Sequence, residues 1–360
     1  MDFYTVSLVA VLVSVCVTTA DAAPPAQLVF GDSLVDTGNN NYLVAIARAD
    51  RSPYGIDFPS RLPTGRFCNG LNIADFIGLK FGSQPVLPYL DPSLQGQELL
   101  RGANFASAGI GILNDTGLQF GQIIRMDEQF EFFQKYQDRV ASIIGRNATN
   151  KLVAEGLVSI ALGGNDYVNN YFLLPVTLRS LQFSLPAYTN FIISEFEKIL
   201  ARFYELGARR VLVLSSGPLG CIPMERATSS LNGDCAQRPQ QAAKLFNKGL
   251  NIIVNRLNRR FSAQIYTITK MFPAMMDLYT NPQLYGIGDA KDACCGQGPY
   301  NGLGLCTSLS LLCPDRGNNV WWDQFHPTER AARIIVDKFF SGSPSYVGPV
   351  SIQDLMKLDV

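Results

Sequence analysis

The sequence predicts an α/β protein with a central parallel sheet covered by helices on both faces. Three observations carry that reading. Short, continuously apolar runs such as "AQLVF" (26–30) and "LVSIAL" (157–162) suit strands buried on both sides, because a half-exposed strand would alternate polar and apolar residues. Longer segments with apolar residues at three- and four-residue steps suit amphipathic helices. The two kinds alternate along the chain, which calls for crossover connections and therefore parallel strands.

Before the first of these runs stands "YTVSLVAVLVSVCVTTADAA", an apolar core followed by small residues with an Ala20-x-Ala22 cleavage pattern. It reads as a secretory signal over 1–22 and leaves one domain over 23–360. Ser14, Thr18 and Thr19 interrupt the run, which is short for a membrane span. No later segment is long and apolar enough to span, so a secreted, extracellular protein without an integral membrane segment is expected.

The first strand, 26–30, ends in Gly31, and "FGDSLVDTGNNNY" follows with Ser33 on a tight turn expected to lead into a helix. "GANFAS" (102–107) is the second strand candidate, and its loop "NFASAGIGIL" is rich in small residues that let backbone N–H groups approach a ligand. A helix is expected over 122–145. After the strand at 157–162 comes "GGNDYVNNYF", with Asn165 behind two glycines. A helix over 188–207, with Gly207 as its C-terminal cap, precedes a strand within 209–218. A helix over 239–261 precedes a strand within 263–272. Near the end, "WWDQFHPTER" leads into a last helix expected to start at Pro327, with Ala331, Ile334, Ile335 and Phe339 on its apolar face.

Composition bounds the function. Thirty basic residues balance thirty acidic ones, so nothing points to nucleic acid or an anionic membrane. Of eight cysteines, Cys16 lies in the signal. In an oxidising compartment the others read as disulfides: Cys221 with Cys235, and adjacent Cys294 and Cys295 each to a different partner among Cys306 and Cys313, with Cys68 left free. A zinc site in the same cysteine cluster fits poorly with a single histidine. No metal or other cofactor is expected. Asn114 and Asn147 head Asn-x-Thr sequons and are candidate glycosylation sites.

In an open parallel sheet, ligands bind beyond the carboxyl ends of the strands. The loops there hold Ser33, Gly109 and Asn165, while His326, the chain's one histidine, lies three residues after Asp323. Each has a bland reading. Ser33 suits a turn or cap, Gly109 a turn and Asn165 an Asx-turn, while His326 stands ahead of a helix. Together they supply every type that acyl transfer needs: a nucleophile, a base with an orienting carboxylate, and donors for a developing oxyanion.

The segments "FGDSLVDTGNNNY", "GANFASAGIGI", "LGGNDY" and "DQFHPTE" resemble the four sequence blocks of the GDSL-type esterases/lipases of the SGNH hydrolase superfamily. The secreted plant branch, with "PTGRFCNG"-like and "SSGPLGCIP"-like segments, is the closer likeness. The resemblance implies a flavodoxin-like three-layer α/β/α sandwich, the SGNH hydrolase fold. It implies Ser33 as nucleophile, His326 as base and Asp323 as its orienting partner. The backbone N–H groups of Ser33 and Gly109 with the Asn165 side chain form the implied oxyanion hole. Asp32 is expected to fix the turn and not to act as a second base, and Cys68 stands where relatives often carry serine. The substrate implied is a small-molecule or lipid ester.

Three other readings differ from this one. An acyltransferase would use the same residues with an alcohol acceptor, and a silent binding protein would show a damaged triad. A metal phosphoesterase would want several His and Asp ligands. An α/β-hydrolase is excluded by the missing G-x-S-x-G around Ser33.

Overall fold

The computed structural model describes residues 24–360, and the expected signal segment 1–22 lies outside them. Its main sheet is built from β1 (Gln27–Gly31), β2 (Gly102–Asn104), β3 (Leu157–Ala161), β4 (Val211–Leu214) and β5 (Tyr266–Thr269), all parallel. A second, two-stranded parallel sheet pairs β6 (Asp289–Ala293) with β7 (Asn319–Trp321). Finally β8 (Val347–Gly348) adds antiparallel to β5 and completes the main sheet in the order β2-β1-β3-β4-β5-β8.

Every side chain of β1, β3, β4 and β5 is buried. That is why these strands read as apolar runs: helices cover both faces. The main helices are α1 (Ile73–Leu79), α2 (Met126–Ile144), α3 (Arg146–Glu155), α4 (Leu185–Glu205), α5 (Gln237–Arg260) and α6 (Glu329–Phe339). Right-handed crossovers in this strand order place α2 to α5 on one face and α1 on the other. The packing agrees, since α4 lies along α5 and α1 along α6. The result is an α/β/α sandwich. Phe30 on β1 stacks on Phe105 at 4.8 Å and meets Phe133 and Phe203 edge-on at 5.3 and 4.8 Å, which locks the first strand to α2 and α4.

Three local expectations are corrected. No helix follows the Ser33 turn directly; the chain makes a short 3₁₀ turn at Asn39–Tyr42, and α1 begins only at Ile73. The cause is the polar run itself: Asp36 Oδ1 accepts the N–H groups of Gly38 and Asn39 at 2.7 and 2.9 Å, a side-chain alternative to the helical ladder. Pro327 does not open the last helix, because it pairs with Trp321 in an isolated antiparallel bridge. The cap of α6 is Thr328, whose hydroxyl accepts from Ala331 N–H at 3.2 Å. Lastly, the helix expected over 122–145 starts at Met126, and α3 follows it as a separate helix after Gly145.

Among the described residues three disulfides close the framework, Cys221–Cys235, Cys294–Cys313 and Cys295–Cys306, with Cys68 free and buried. The adjacent pair does diverge to two partners. Among the described residues no helix is long and apolar enough to cross a membrane.

Candidate active site

The strand order reverses direction between β1 and β3, and the crevice above that point is where the sequence-named residues meet. Gly31 ends β1 at φ +124°, and a Cβ there would sit 2.1 Å from the Ala161 carbonyl oxygen on β3. Only glycine lets the two backbones approach so closely. The peptide is clasped from the other side by Gln129 of α2, which accepts from Gly31 N–H and donates to Gly31 O, both at 3.0 Å. Asp32 then accepts from Leu34 N–H at 3.1 Å and closes the turn that carries Ser33.

The loop after β2 is held by the same polar run. Asp36 Oδ2 accepts Ala108 N–H at 3.1 Å, and Asn39 Nδ2 donates to the carbonyls of Asn104 and Ala106 at 2.9 and 2.8 Å. Gly109 follows at φ +93°, with space beside it filled by the Phe120 ring, 2.5 Å from where a Cβ would stand. Asp166 fixes the far end of the loop by accepting Ile112 and Leu113 N–H at 2.7 and 3.0 Å. Asn165 lies on the short helical turn after β3, its Nδ2 donating to Ile110 O at 2.8 Å and reaching Asp32 Oδ2 at 3.5 Å. Among the described residues, neither Ser33 N–H nor Gly109 N–H has a protein acceptor.

The histidine arrives from the small sheet. Beyond β7, Asp323 Oδ1 accepts Phe325 and His326 N–H at 2.9 Å each, bending the segment into a compact turn. His326 Nδ1 lies 2.8 and 2.9 Å from the two Asp323 oxygens, and its Nε2 lies 2.8 Å from Ser33 Oγ. An Nδ1–H donated to the carboxylate leaves the Nε2 lone pair facing the hydroxyl. Tyr54 supplies a contact that the sequence does not reveal: its hydroxyl donates to Asp323 Oδ2 at 2.9 Å, from a residue 269 positions away. No local pattern marks such a residue. Asp323 and His326 are 2 % and 6 % exposed, so the pair is shielded from water.

The electrostatics differ across the crevice. Burial works against charge on Asp323, but the His326 ring and the N–H groups of Phe325 and His326 outweigh it and hold the carboxyl below its usual range. Burial dominates on the other side. It raises Asp32 to about 7, with Leu34 N–H and the attraction of His326 only partly opposing it, and raises Asp36 and Asp166 to about 6 each. Cys68 is pushed up strongly by burial, which leaves it a thiol, with its Sγ near the Leu71 and Pro327 carbonyls.

Ser33, Gly109, Asn165, Asp323 and His326 line one cavity of about 430 Å³, whose other walls include Leu34, Ile46, Val168, Leu219, Ile222 and Phe325. Larger surface grooves, of about 690 and 820 Å³, contain none of the five. The two sequon asparagines stand away from this cavity. Asn114 is exposed in the turn before Thr116, and Asn147 is exposed in the first turn of α3.

A serine hydroxyl hydrogen-bonded to an imidazole, itself hydrogen-bonded to a shielded carboxylate, can be deprotonated as it attacks an electrophilic carbonyl. The model of the GDSL-like lipase/acylhydrolase family matches residues 28–339. GDSL esterase/lipase LTL1 of Arabidopsis thaliana is 54% identical over 334 residues, covering 93% of this chain and 91% of its own. GDSL esterase/lipase 7 of the same plant is 39% identical over 338 residues, covering 93% and 92%. The chain belongs to the GDSL-like lipase/acylhydrolase family.

Proposed function

We propose that this chain is a secreted hydrolase of carboxylic esters that works through an acyl-enzyme on Ser33. The observation that carries the proposal is the unbroken path from Ser33 Oγ through His326 to Asp323, each step 2.8 Å long at its shortest. Ser33 Oγ attacks the ester carbonyl as His326 Nε2 takes its proton. Asp323, tied down by Tyr54, holds Nδ1–H and stabilises the imidazolium. The N–H groups of Ser33 and Gly109, with the Asn165 Nδ2 proton that otherwise faces Asp32 Oδ2 at 3.5 Å, receive the negative charge that develops on the carbonyl oxygen. Collapse of the tetrahedral adduct expels the alcohol, which takes the proton from Nε2. Water then attacks the acyl-serine by the same steps in reverse roles, releasing the acid and restoring the serine.

The apolar walls of the cavity suit an ester with an apolar acyl or alkyl group. The leader-like 1–22, removed to leave one domain over 23–360, the three disulfides and the exposed sequons at Asn114 and Asn147 support passage through an oxidising, glycosylating secretory route. The test is hydrolysis of a p-nitrophenyl ester series by the secreted protein and its Ser33→Ala and His326→Ala variants. Turnover by the parent and near-complete loss in both variants is the expected result. Undiminished turnover in either variant would remove the mechanism.

A further inference from the structure

The wall of the active-site cavity continues outward as exposed apolar surface. Ile46 and Leu305 line the cavity, yet are 67 % and 65 % exposed. Close to them in the chain stand Val44, Leu309 and Leu311, at 85 %, 89 % and 88 % exposed. Single exposed apolar residues need no explanation, but a group on the two segments that wall one functional opening does.

Both rim segments are built to stay in place. The first is stitched to 118–122: Ala45 bridges Gly121, Ile46 N–H donates to Phe120 O at 2.9 Å, and Gln122 N–H donates to Val44 O at 3.1 Å. The second is enclosed by the Cys294–Cys313 and Cys295–Cys306 disulfides, with a turn closed by Ser310 N–H on Thr307 O at 3.0 Å. These ties fix the backbone of both segments.

Charge is missing from the same segments. No Asp, Glu, Lys or Arg occurs in 38–47, 116–124 or 296–313. Arg48 and Arg51, farther round the cavity wall, are both paired with Asp50, at 3.4 and 3.7 Å, so the rim offers little to attract anionic lipid or an acidic peptide. An apolar rim of this kind gains by entering an uncharged lipid boundary, where its side chains leave water. A second copy of the chain seated here would close the cavity mouth, whereas a lipid surface would present esters to it.

We propose that this rim docks the enzyme on an electrically neutral lipid–water interface and feeds esters from that surface into the cavity. The proposal rests on the ester-hydrolase reading above, and the experiment separates the two. Full-length secreted protein, a Leu309→Ser/Leu311→Ser variant and a Val44→Ser variant are compared in three assays. These are flotation with phosphatidylcholine vesicles, turnover of emulsified tributyrin, and turnover of dissolved p-nitrophenyl acetate. The parent should float with the vesicles to the same extent at low and high salt. The leucine variant should lose about tenfold or more in flotation and in emulsion turnover, with Val44→Ser falling in the same direction. The dissolved-ester rate should stay within about twofold, which also reports intact folding.

A parent that does not float, or variants with unchanged flotation and emulsion turnover, would overturn the docking surface. So would a dimer, seen by light scattering, that the leucine substitutions turn into monomers. Floating parent protein whose Ser33→Ala variant still hydrolyses the dissolved ester would instead overturn the hydrolase mechanism and leave the docking surface standing.

Discussion

Two regions meet at this crevice, and they hold their active groups by different means. The shelf carrying Ser33, Gly109 and Asn165 is the carboxyl end of the main sheet's strands, fixed by buried side chains such as Gln129, Asn39, Asp36 and Asp166 bonding to backbone. The lobe carrying Asp323 and His326 hangs on a two-stranded sheet fastened by disulfides, where Cys294 and Cys295 N–H donate to Trp321 and Trp322 carbonyls at 2.9 and 2.8 Å. Their buried carboxyls are shifted in opposite directions, up on the shelf and down in the lobe. The shelf therefore uses acids whose burial opposes their charge as acceptors for backbone N–H groups. The lobe holds one acid toward its charged form, next to the imidazole.

If the two regions act as one catalytic unit, crossing them by mutation should be grossly non-additive. Ser33→Ala on the shelf and His326→Ala in the lobe should each lower kcat by roughly 10⁴-fold or more, with the double variant hardly worse. Additive losses would mean the regions contribute separately. Asp323→Asn should cost about 10⁴-fold through the wrong ring tautomer while circular dichroism stays unchanged. On the shelf, Asn165→Ala should cost roughly 10²–10³ in kcat, the loss expected of one oxyanion donor. Wild-type turnover in that variant would take Asn165 out of the mechanism.

The fastening of the lobe can be separated from its chemistry. Replacing both Cys294 and Cys313 by serine should lower unfolding free energy by about 2–4 kcal/mol in denaturant titration. It should also lower esterase turnover, while a Cys221→Ser/Cys235→Ser variant, whose bridge ties the start of α5 to the loop after β4, should affect stability more than turnover.

The smallest effect is the sign of the pH response. Asp32 has its folded value raised to about 7 from an ordinary 3.8. Its contribution to stability is thus complete below about pH 3.8 and is lost as pH rises toward 7. Asp323 has a lowered value and acts oppositely, contributing above its ordinary range and losing that contribution as pH falls. Scanning fluorimetry should find that Asp32→Asn gains Tm relative to the parent as pH rises from about 4 to 7. A difference independent of pH would contradict the shelf's assignment.

The shelf was more legible in the sequence than the lobe. Its strands are buried on both faces, so they appear as apolar runs, and the loops after them hold Ser33, Gly109 and Asn165, residue types that suit acyl transfer. What sequence missed there was the behaviour of "DTGNNNY", where side chains capture backbone groups that a helix would have used. In the lobe, the Asp323/His326 spacing and the cysteine pairs were visible because the partners are close in sequence. Tyr54 was invisible because only the fold brings it to Asp323, and Pro327 misled because its fixed φ suits an extended bridge as well as a first helical turn. The last strand, β8, has two residues and leaves no pattern to read.

The central claim is that the lobe's imidazole activates the shelf's serine. The most direct measurement is the intact mass and peptide map of the secreted protein after treatment with diisopropyl fluorophosphate, run in parallel on Ser33→Ala and His326→Ala. The account predicts a single phosphoryl adduct on the peptide containing Ser33, loss of esterase activity in step with its formation, no adduct in Ser33→Ala, and labelling slowed by orders of magnitude in His326→Ala. An adduct on another residue, or full esterase activity in protein phosphorylated at Ser33, would contradict it.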